Sequence, residues 1–466
     1  QSVAIIVCVH NALADAQRCL ESVLQHTFFP FTLFLIDDGS DTETQTYLEQ
    51  FAASQDAQLI RNDVAKGYTL AANQGLRAAG AYDYAVLLNS DTIVSDQWLD
   101  RMVMCAASDP RVGMVGPLSN TASWQSVPDM LVDGDWASNN LPSGMSIQTM
   151  ARLVAAQSAR LYPRIAVLNG FCLLIKRALM DDIGIFDEVA FAQGYGEEND
   201  YCLRATAAGW SLAVVDDVYV HHAQSKSYST ERRKALSLRA GEILADKHGQ
   251  PTIEQAVQFC RYDRVLQGMR TGVKNSLLVH ALRDQAKARW EGRRVLFLLP
   301  IADAGGGGNV VITEAQALVS FGIDARLVNY HCHQNSFEFS YPNLDVPVIY
   351  LADETKLVEV IGNFDAVVAT VNTTVAPLAI AAQHIAAPPV LGYYIQDFEP
   401  WFYPVGSVGH EVALRSYNLV KDMVLFTKTQ WNEQVVQQET GAQCKVIGPS
   451  FNRALFRPRP RTAANA

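Results

Sequence analysis

The stretch GYGEENDYCLRA, residues 194–205, sets Glu197, Glu198, Asn199 and Asp200 in a row between a pair of glycines and an apolar run. Crowded carboxylates raise one another's proton affinity, which suits a general base. The same acids also complement the charge at the start of a helix beginning near Tyr201, and with several available both roles can hold. Two more acids close apolar runs: Asp38 in FTLFLIDDGS and Asp91 in YAVLLNSDT. Each alone is explained as a turn former or a helix N-cap. Together with the downstream acids they suggest carboxylates converging on one face, able to hold a divalent cation and a diphosphate. VYVHH adds His221 and His222, a residue type that is singly more often a satisfied core or surface group than a ligand.

These residues need strands to carry them. SVAIIVCV is a buried-strand pattern ending at His10 and Asn11, ADAQRCLESVLQHT is helical, and FTLFLIDDGS is a second strand. Strand, helix, strand with polar residues at the carboxyl ends predicts a doubly wound α/β sheet that binds its ligand at that edge. From about 226 to 290 the spacing becomes helical, with Ser229 or Thr230 as an N-cap, and predicts a structured connector. A second α/β unit opens at RRVLFLLP, followed by four glycines, Gly305–Gly308, before a helix. That loop invites a phosphate cradle, but valine at 310 and 311 breaks a GxGxxG spacing and no GK[ST] follows, so a dinucleotide site and a P-loop are excluded.

Composition bounds the rest. At 466 residues two domains are expected. A net charge of -11 without a dense Lys/Arg cluster argues against a nucleic-acid groove. The 8 cysteines form no CxxC pair, which signals reduced thiols in a cytoplasmic setting and neither zinc nor redox chemistry. No run approaches the length of a membrane span and no signal peptide is visible, which leaves room for peripheral membrane contact. Because the chain begins at Gln1, a fragment of a longer protein is expected.

Residues 1 to about 225 resemble family-2 glycosyltransferases of the GT-A fold. VAIIVCVHNA, LIDDGSDT, KGYTLAANQGL, LLNSDT, NGFCLLIKR, GIFDE, GYGEENDYCLRA and VYVHH follow in the family's order. The resemblance implies an inverting, metal-dependent transfer from a nucleotide-diphosphate sugar. Cys8, His10, Asn11 and Asp38 would hold the base and ribose, Lys66 and Gly67 the donor-side loop, and Asn89 and Ser90 the strand end before the metal. Asp91 matches the last acid of the family's DxD motif and, with NSD replacing a second aspartate, would be the main protein ligand to Mn2+ or Mg2+. His221 is the better match to the family's metal- or diphosphate-contacting histidine and His222 the second. Asn169 and Gly170 fall on the acceptor side. Glu198 aligns with the catalytic base, with Glu197 and Asp200 as the positions to which that role could slip.

The second half resembles the N-terminal lobe of family-4, GT-B glycosyltransferases through VLFLLPIADAGGGGNVVITEAQAL, YYIQDFEPWFYP and VLFTKTQWNEQVV...VIGPSFNRALFRPRP. The implied organisation is a GT-A domain over 1–225, a helical connector over 226–290, and a truncated GT-B acceptor-side lobe over 291–466. The implied enzyme builds a surface glycan such as O-antigen or capsule from a glycan or lipid-linked acceptor, in the cytoplasm or at the inner face of the cell membrane. The competing expectation is a non-catalytic scaffold that grips a nucleotide sugar or glycan for the second module. A nucleotidyltransferase is disfavoured because the chain lacks the glycine-rich, basic N-terminal signature of such enzymes.

Overall fold

Uncharged β-branched and aliphatic residues through Val3–Val9 give strand β1 nothing polar to show solvent on either face, which suits the middle of a sheet covered on both sides. The computed structural model describes residues 1–192, 194–223, 230–448 and 450, without the side chains of 230–235. Two compact units result, Gln1–Leu278 and Val279–Arg457, the second described as far as Ser450.

In the first unit β1 is followed by α1 (Leu13–His26), β2 (Thr32–Asp38), α2 (Thr42–Gln55), β3 (Gln58–Asn62), α3 (Tyr68–Ala78) and β4 (Tyr84–Asn89). The short β5 (Thr92–Ile93), α4 (Trp98–Ala107), β6 (Val112–Leu118) and a two-stranded hairpin, β7 (Leu131–Val132) and β8 (Asp135–Trp136), come next. Then follow α5 (Ile147–Gln157), β9 (Arg164–Ile165), β10 (Cys172–Lys176), α6 (Arg177–Ile183), α7 (Glu197–Ala207), β11 (Ser211–Tyr219) and β12 (His221–His222). Eight strands form one sheet in the order β3-β2-β1-β4-β10-β6-β11-β9. The first four are parallel, whereas β10 is antiparallel to both β4 and β6.

The strand period of two sorts the core. Val3, Ile5, Val7 and Val9 pack with α1 and α4 residues such as Leu20, Trp98 and Met102, while Ala4 and Ile6 pack with Ala71, Leu76, Met150, Tyr201 and Cys202 on the other face. The helical region becomes α8 (Thr230–His248), α9 (Gln250–Arg261) and α10 (Arg264–Trp290). Ser229, one expected N-cap, and the side chain of Thr230, the other, lie outside the described residues. Helices α8 and α9 bury Ala240, Leu244 and Ala256 against Phe191 and Leu203, so they pack as part of the first unit.

The second unit runs β13 (Arg294–Leu298), α11 (Gly306–Ser320), β14 (Asp324–Tyr330), α12 (Gln334–Ser340), β15 (Val348–Leu351), β16 (Ala366–Ala369) and α13 (Asn372–Gln383). It continues with β17 (Val390–Ile395), α14 (Val408–Ser416), β18 (Val424–Thr427), α15 (Gln430–Thr440) and β19 (Lys445–Val446). Its sheet, β15-β14-β13-β16-β17-β18-β19, is parallel throughout, with core clusters on both faces. Both units are therefore doubly wound α/β, as the strand-end pattern predicts. The closing segment from Phe451 lies outside the described residues. Among the described residues, no helix is long and apolar enough to cross a membrane.

Helix α3 carries the loop of Lys66 and Gly67, and its seat on the sheet is a glycine. A Cβ at Gly75 would stand 2.3 Å from Ile6 Cγ2. Although alanine is ordinarily the better helix former, Gly75→Ala is expected to destabilise the fold by about 1–3 kcal/mol through overpacking. A lowered thermal midpoint checks this; an unchanged or raised one would show that Ile6 yields without strain.

Candidate active site

The donor-side residues meet at the carboxyl ends of β1 and β2. Asn11 and Ala12 take left-handed backbone (φ 57° and 53°) and turn the chain into α1, while Asn11 N donates to Ser40 Oγ at 3.0 Å and Asn11 Oδ1 accepts from Asp41 N at 2.8 Å. His10 Nδ1 lies 2.8 Å from the carbonyl oxygen of Asp38. The buried Asp38 carboxylate accepts from Asn62 Nδ2 (3.0 Å), Lys66 N (2.9 Å) and Gly67 N (2.9 Å), so it fastens the loop that starts α3. Lys66 Nζ donates to Asn62 Oδ1 at 2.9 Å. Half-buried Cys8 pairs in register with Asn89 at the end of β4, and burial followed by the nearby Asp38 pushes its thiol up. The structure thus brings Cys8, His10, Asn11, Asp38, Lys66, Gly67 and Asn89 to one edge.

Ser90 and Asp91 form the turn from β4 into β5, and β5 pairs antiparallel with β12, Thr92 opposite His222. His222 Nε2 lies 3.2 Å from Asp91 Oδ1 and its Nδ1 lies 3.3 Å from the carbonyl of Thr121. A carbonyl only accepts, so Nδ1 carries a proton, and Nε2 is the ring nitrogen that faces the carboxylate. That juxtaposition is favourable only with a proton or a cation between the two. Two donors about 3 Å apart also match neighbouring positions around an octahedral Mg2+ or Mn2+. Among the described residues no group of three His, Cys, Asp or Glu side chains converges, which leaves most positions on such an ion to phosphates and water. His222 rather than His221 faces Asp91. Adjacent strand residues point to opposite sides, and His221 Nδ1 instead lies 3.2 Å from Tyr219 Oη. Burial, then His222, holds the His221 imidazole below its usual value.

The carboxylates follow from backbone strain. Gly194, Tyr195 and Gly196 all have positive φ (85°, 69° and 92°), and a Cβ on Gly196 would lie 2.9 Å from Ala240 Cβ. The two glycines are what this left-handed path requires before α7 begins at Glu197. Glu197 is buried with its Oε2 unpartnered; burial, then the neighbouring Glu198, raises its proton affinity well above the ordinary carboxylate. Glu198 is also raised by burial, against opposing backbone hydrogen bonds at the helix start. Its side chain rests on the backbone of Gly170, where a Cβ would lie 3.4 Å from Glu198 Cγ and 3.7 Å from Cδ. Tyr68 borders the pair, its phenol pushed up by burial and then by Cys8, Glu197 and Glu198.

Asp200 is bonded differently from Glu197 and Glu198. It is fully buried and accepts from Arg204 Nε, Lys247 Nζ and His248 Nε2, each at 2.8 Å. Burial alone would raise its pKa, but these bonds hold it below the ordinary range. It is a fastener between α7 and α8.

Asn169 precedes β10 at the same edge because β10 runs backwards. Asn169 N donates to Gln125 Oε1 at 2.7 Å, and Phe171, stacked on His222 with ring centroids 5.4 Å apart, gives its carbonyl to Asn89 N at 2.9 Å. Phe171, Gln125, Asn120 and Tyr68 are site neighbours that the sequence analysis missed. The polar run SNTAS directly after the apolar strand VGMVGPL carried the same strand-end signal as NSDT.

The family model described as "Glycosyltransferase like family 2" matches residues 1–239. The chain is 28% identical over 270 residues to N-acetylglucosaminyl-diphospho-decaprenol L-rhamnosyltransferase of Mycobacterium tuberculosis, covering 52% of this chain and 84% of that protein. It is 22% identical over 216 residues to poly-beta-1,6-N-acetyl-D-glucosamine synthase of Staphylococcus epidermidis, 46% of this chain and 47% of that synthase. Among solved structures it resembles GalNAc-T7 with UDP, GalNAc and Mn2+, with TM-score 0.41 and 16% identity, covering 59% of this chain and 54% of that one.

Asp200 is buried while Arg204, Lys247 and His248 keep access to water, so Asp200→Asn removes a bonded charge without stranding buried cations, and it is expected to lower stability by about 1–3 kcal/mol in denaturant unfolding. A loss under 1 kcal/mol would show the cluster to be loosely held. Glu197 has the opposite sign. The unfolded chain loses this proton as pH rises past about 4.5, where the native state still keeps it, so stability falls from there upward. Glu197→Gln is expected to be more heat-stable than the parent at pH 8, by on the order of 1 kcal/mol, with the gain fading below pH ~4.5. A less stable variant at pH 8 would mean that the carboxylate has a compensating bond.

Proposed function

Because the chain belongs to the glycosyltransferase like family 2, we propose that this glycosyltransferase inverts the anomeric carbon as it moves a sugar from a nucleotide-diphosphate donor to a glycan acceptor. The observation that carries this reading is the seat of Glu198. A carboxyl with raised proton affinity lies against the Gly170 backbone, on the same sheet edge as Asp91 and His222. A sugar hydroxyl presented over Gly170 would give its proton to a Glu198 carboxylate as its oxygen attacks the anomeric carbon from the face opposite the leaving diphosphate. A base of raised pKa is the better acceptor near neutral pH.

Asp91 and His222 would hold a Mn2+ or Mg2+ ion, whose chemistry is to neutralise charge on the leaving diphosphate. The chain's own contribution is orientation. Thr121 sets the His222 tautomer, Asn120 fixes its backbone on both sides (2.8 and 2.9 Å), and Asp38 holds the Lys66–Gly67 loop for the donor.

The acceptor in this proposal is a growing glycan or a lipid-linked glycan, as in O-antigen or capsule assembly at the inner face of the membrane. The relative named for N-acetylglucosaminyl-diphospho-decaprenol supports a lipid-linked sugar as one such acceptor. We assign residues 1–225 to the GT-A domain, with α8 and α9 of the 226–290 region packed on it as part of the same unit, and 291–466 to an acceptor-side lobe of GT-B type. The parallel order of the second sheet supports the last assignment.

With Mn2+ and a panel of UDP-, GDP- and dTDP-sugars, acceptor-dependent release of nucleoside diphosphate is expected from the parent. Glu198→Gln is expected to lower it about 10²–10⁴-fold while donor affinity changes little. Donor binding without turnover in any combination would replace this reading with the scaffold, and loss of turnover in Glu197→Gln alone would move the base by one residue.

A further inference from the structure

Residues 119–139 lie between the base and the metal pair, and no motif in the sequence marks them. They are tied to both. Gln125 Oε1 accepts from Asn169 N, beside the glycine that seats Glu198, and Asn120 exchanges two hydrogen bonds with the backbone of His222. Asn139 closes the segment on itself through Asn120 O (3.2 Å from its N, 2.7 Å from its Nδ2). Below, α10 props it: Arg270 donates to the carbonyls of Trp124 and Ser126, and Lys274 pairs with Asp129 at 2.9 Å.

On this frame stands the hairpin β7–β8. Asp133 and Gly134, both with positive φ (51° and 89°), make the two-residue turn that such a hairpin favours. Strands of two residues bury little, and Leu131, Val132 and Trp136 remain 38%, 52% and 47% exposed. Single exposed apolar residues are ordinary, but three on one hairpin form a patch. Trp136 stands edge-on to half-buried Trp124, ring centroids 4.8 Å apart and planes at 90°, so the two indoles make a floor and a wall.

We propose that Trp124 and Trp136 form the subsite that receives the acceptor sugar, a pyranose ring lying with its C–H face on the exposed indole. The inference rests on the transferase reading and deepens it by naming a sugar ring, not a lipid chain, as what the acceptor side recognises. A pyranose presents axial C–H groups on one face and hydroxyls at its rim. The negative face of an indole attracts the former and leaves the latter to water and to neighbouring polar groups. The segment's two tethers then convert a sugar held on the hairpin into one held at a fixed offset from both Glu198 and Asp91.

The test compares the full chain with Trp136→Ala and Trp136→Phe. Indole emission is titrated with methyl glycosides of N-acetylglucosamine, galactose, mannose and rhamnose and, separately, with farnesyl diphosphate. With the donor found by nucleotide release, the acceptor and donor KM values are measured apart. At least one glycoside is expected to change the parent's emission saturably. Trp136→Ala is expected to abolish that change and to raise the acceptor KM about five- to tenfold while the donor KM holds, with Trp136→Phe close to the parent. An acceptor KM unmoved by Trp136→Ala, or a parent whose emission no glycoside alters, overturns the proposal. So does an emission change produced by farnesyl diphosphate alone and lost in Trp136→Ala, which would assign the patch to lipid. If the parent releases no nucleotide from any donor the transferase reading fails, and the emission arm still decides the sugar subsite by itself.

Discussion

Strand β10 runs against the strands on either side of it, and the geometry of the candidate site depends on that reversal. Parallel strands deliver only the residues that follow them to the ligand-binding edge. A reversed strand delivers the residues that precede it. Cys172 opposite Leu88 and the bond from Asn89 N to the Phe171 carbonyl fix the register, so Asn169, Gly170 and Phe171 arrive beside the ends of β1, β2 and β4. Gly170 then seats Glu198, and Phe171 stacks on His222. A slip of one residue would turn Phe171 to the other face and remove both contacts at once.

The four-residue acidic run divides by what surrounds each carboxyl. Asp200 sits one turn into α7 and draws on Arg204, Lys247 and His248, the latter two from α8. Its charge is matched inside the fold and its proton affinity falls. Glu197 and Glu198 lie at the helix start, where the backbone N–H groups favour negative charge only modestly against the cost of burial and mutual repulsion. Glu197 is buried with one oxygen unpartnered, a cost that a merely structural acid would have no reason to bear. The same helix therefore uses one acid to hold α8 and keeps two with a raised hold on their protons, and α8 serves the site by closing over the left-handed entry at Gly196.

Much of this was legible in the sequence because strand ends announce themselves: an apolar run that stops at Asp38 or Asn89 places those residues at one edge of a doubly wound sheet. The structure adds that the two glycines flanking Tyr195 carry a positive-φ path into α7. What the sequence does not carry is the direction of a side chain. Resemblance ranked His221 ahead of His222, but the pairing of β12 with β5 decides which ring meets Asp91. Asp200 looks equivalent to its neighbours in the sequence, whereas in the fold Lys247 and His248 of α8, 47 and 48 residues away, both bond to it. Helices α8 and α9 read as a connector because their apolar spacing shows that they pack, without showing that they pack on Phe191 and Leu203 of the first unit.

The loop after β6 was the least legible part and the one that sets distances. Ser119, Asn120, Thr121, Gln125 and Ser126 are all buried, which would be unfavourable for five polar side chains unless their hydrogen bonds were satisfied. Gln125 Nε2 donates to the Pro117 carbonyl while its Oε1 holds Asn169; Ser126 Oγ accepts from Ala122 N; Asn120 spans His222. The proposed in-line displacement would require the proton acceptor and the leaving-group end to stand on opposite sides of one carbon. Here the backbone beside the Glu198 seat and the backbone of His222 are hydrogen-bonded to the same short, buried segment. Their separation is therefore fixed by the short segment from Asn120 to Gln125, anchored at both ends by buried, hydrogen-bonded amides, and not by the long and independent excursions of α7 and β12 that bring Glu198 and His222 there.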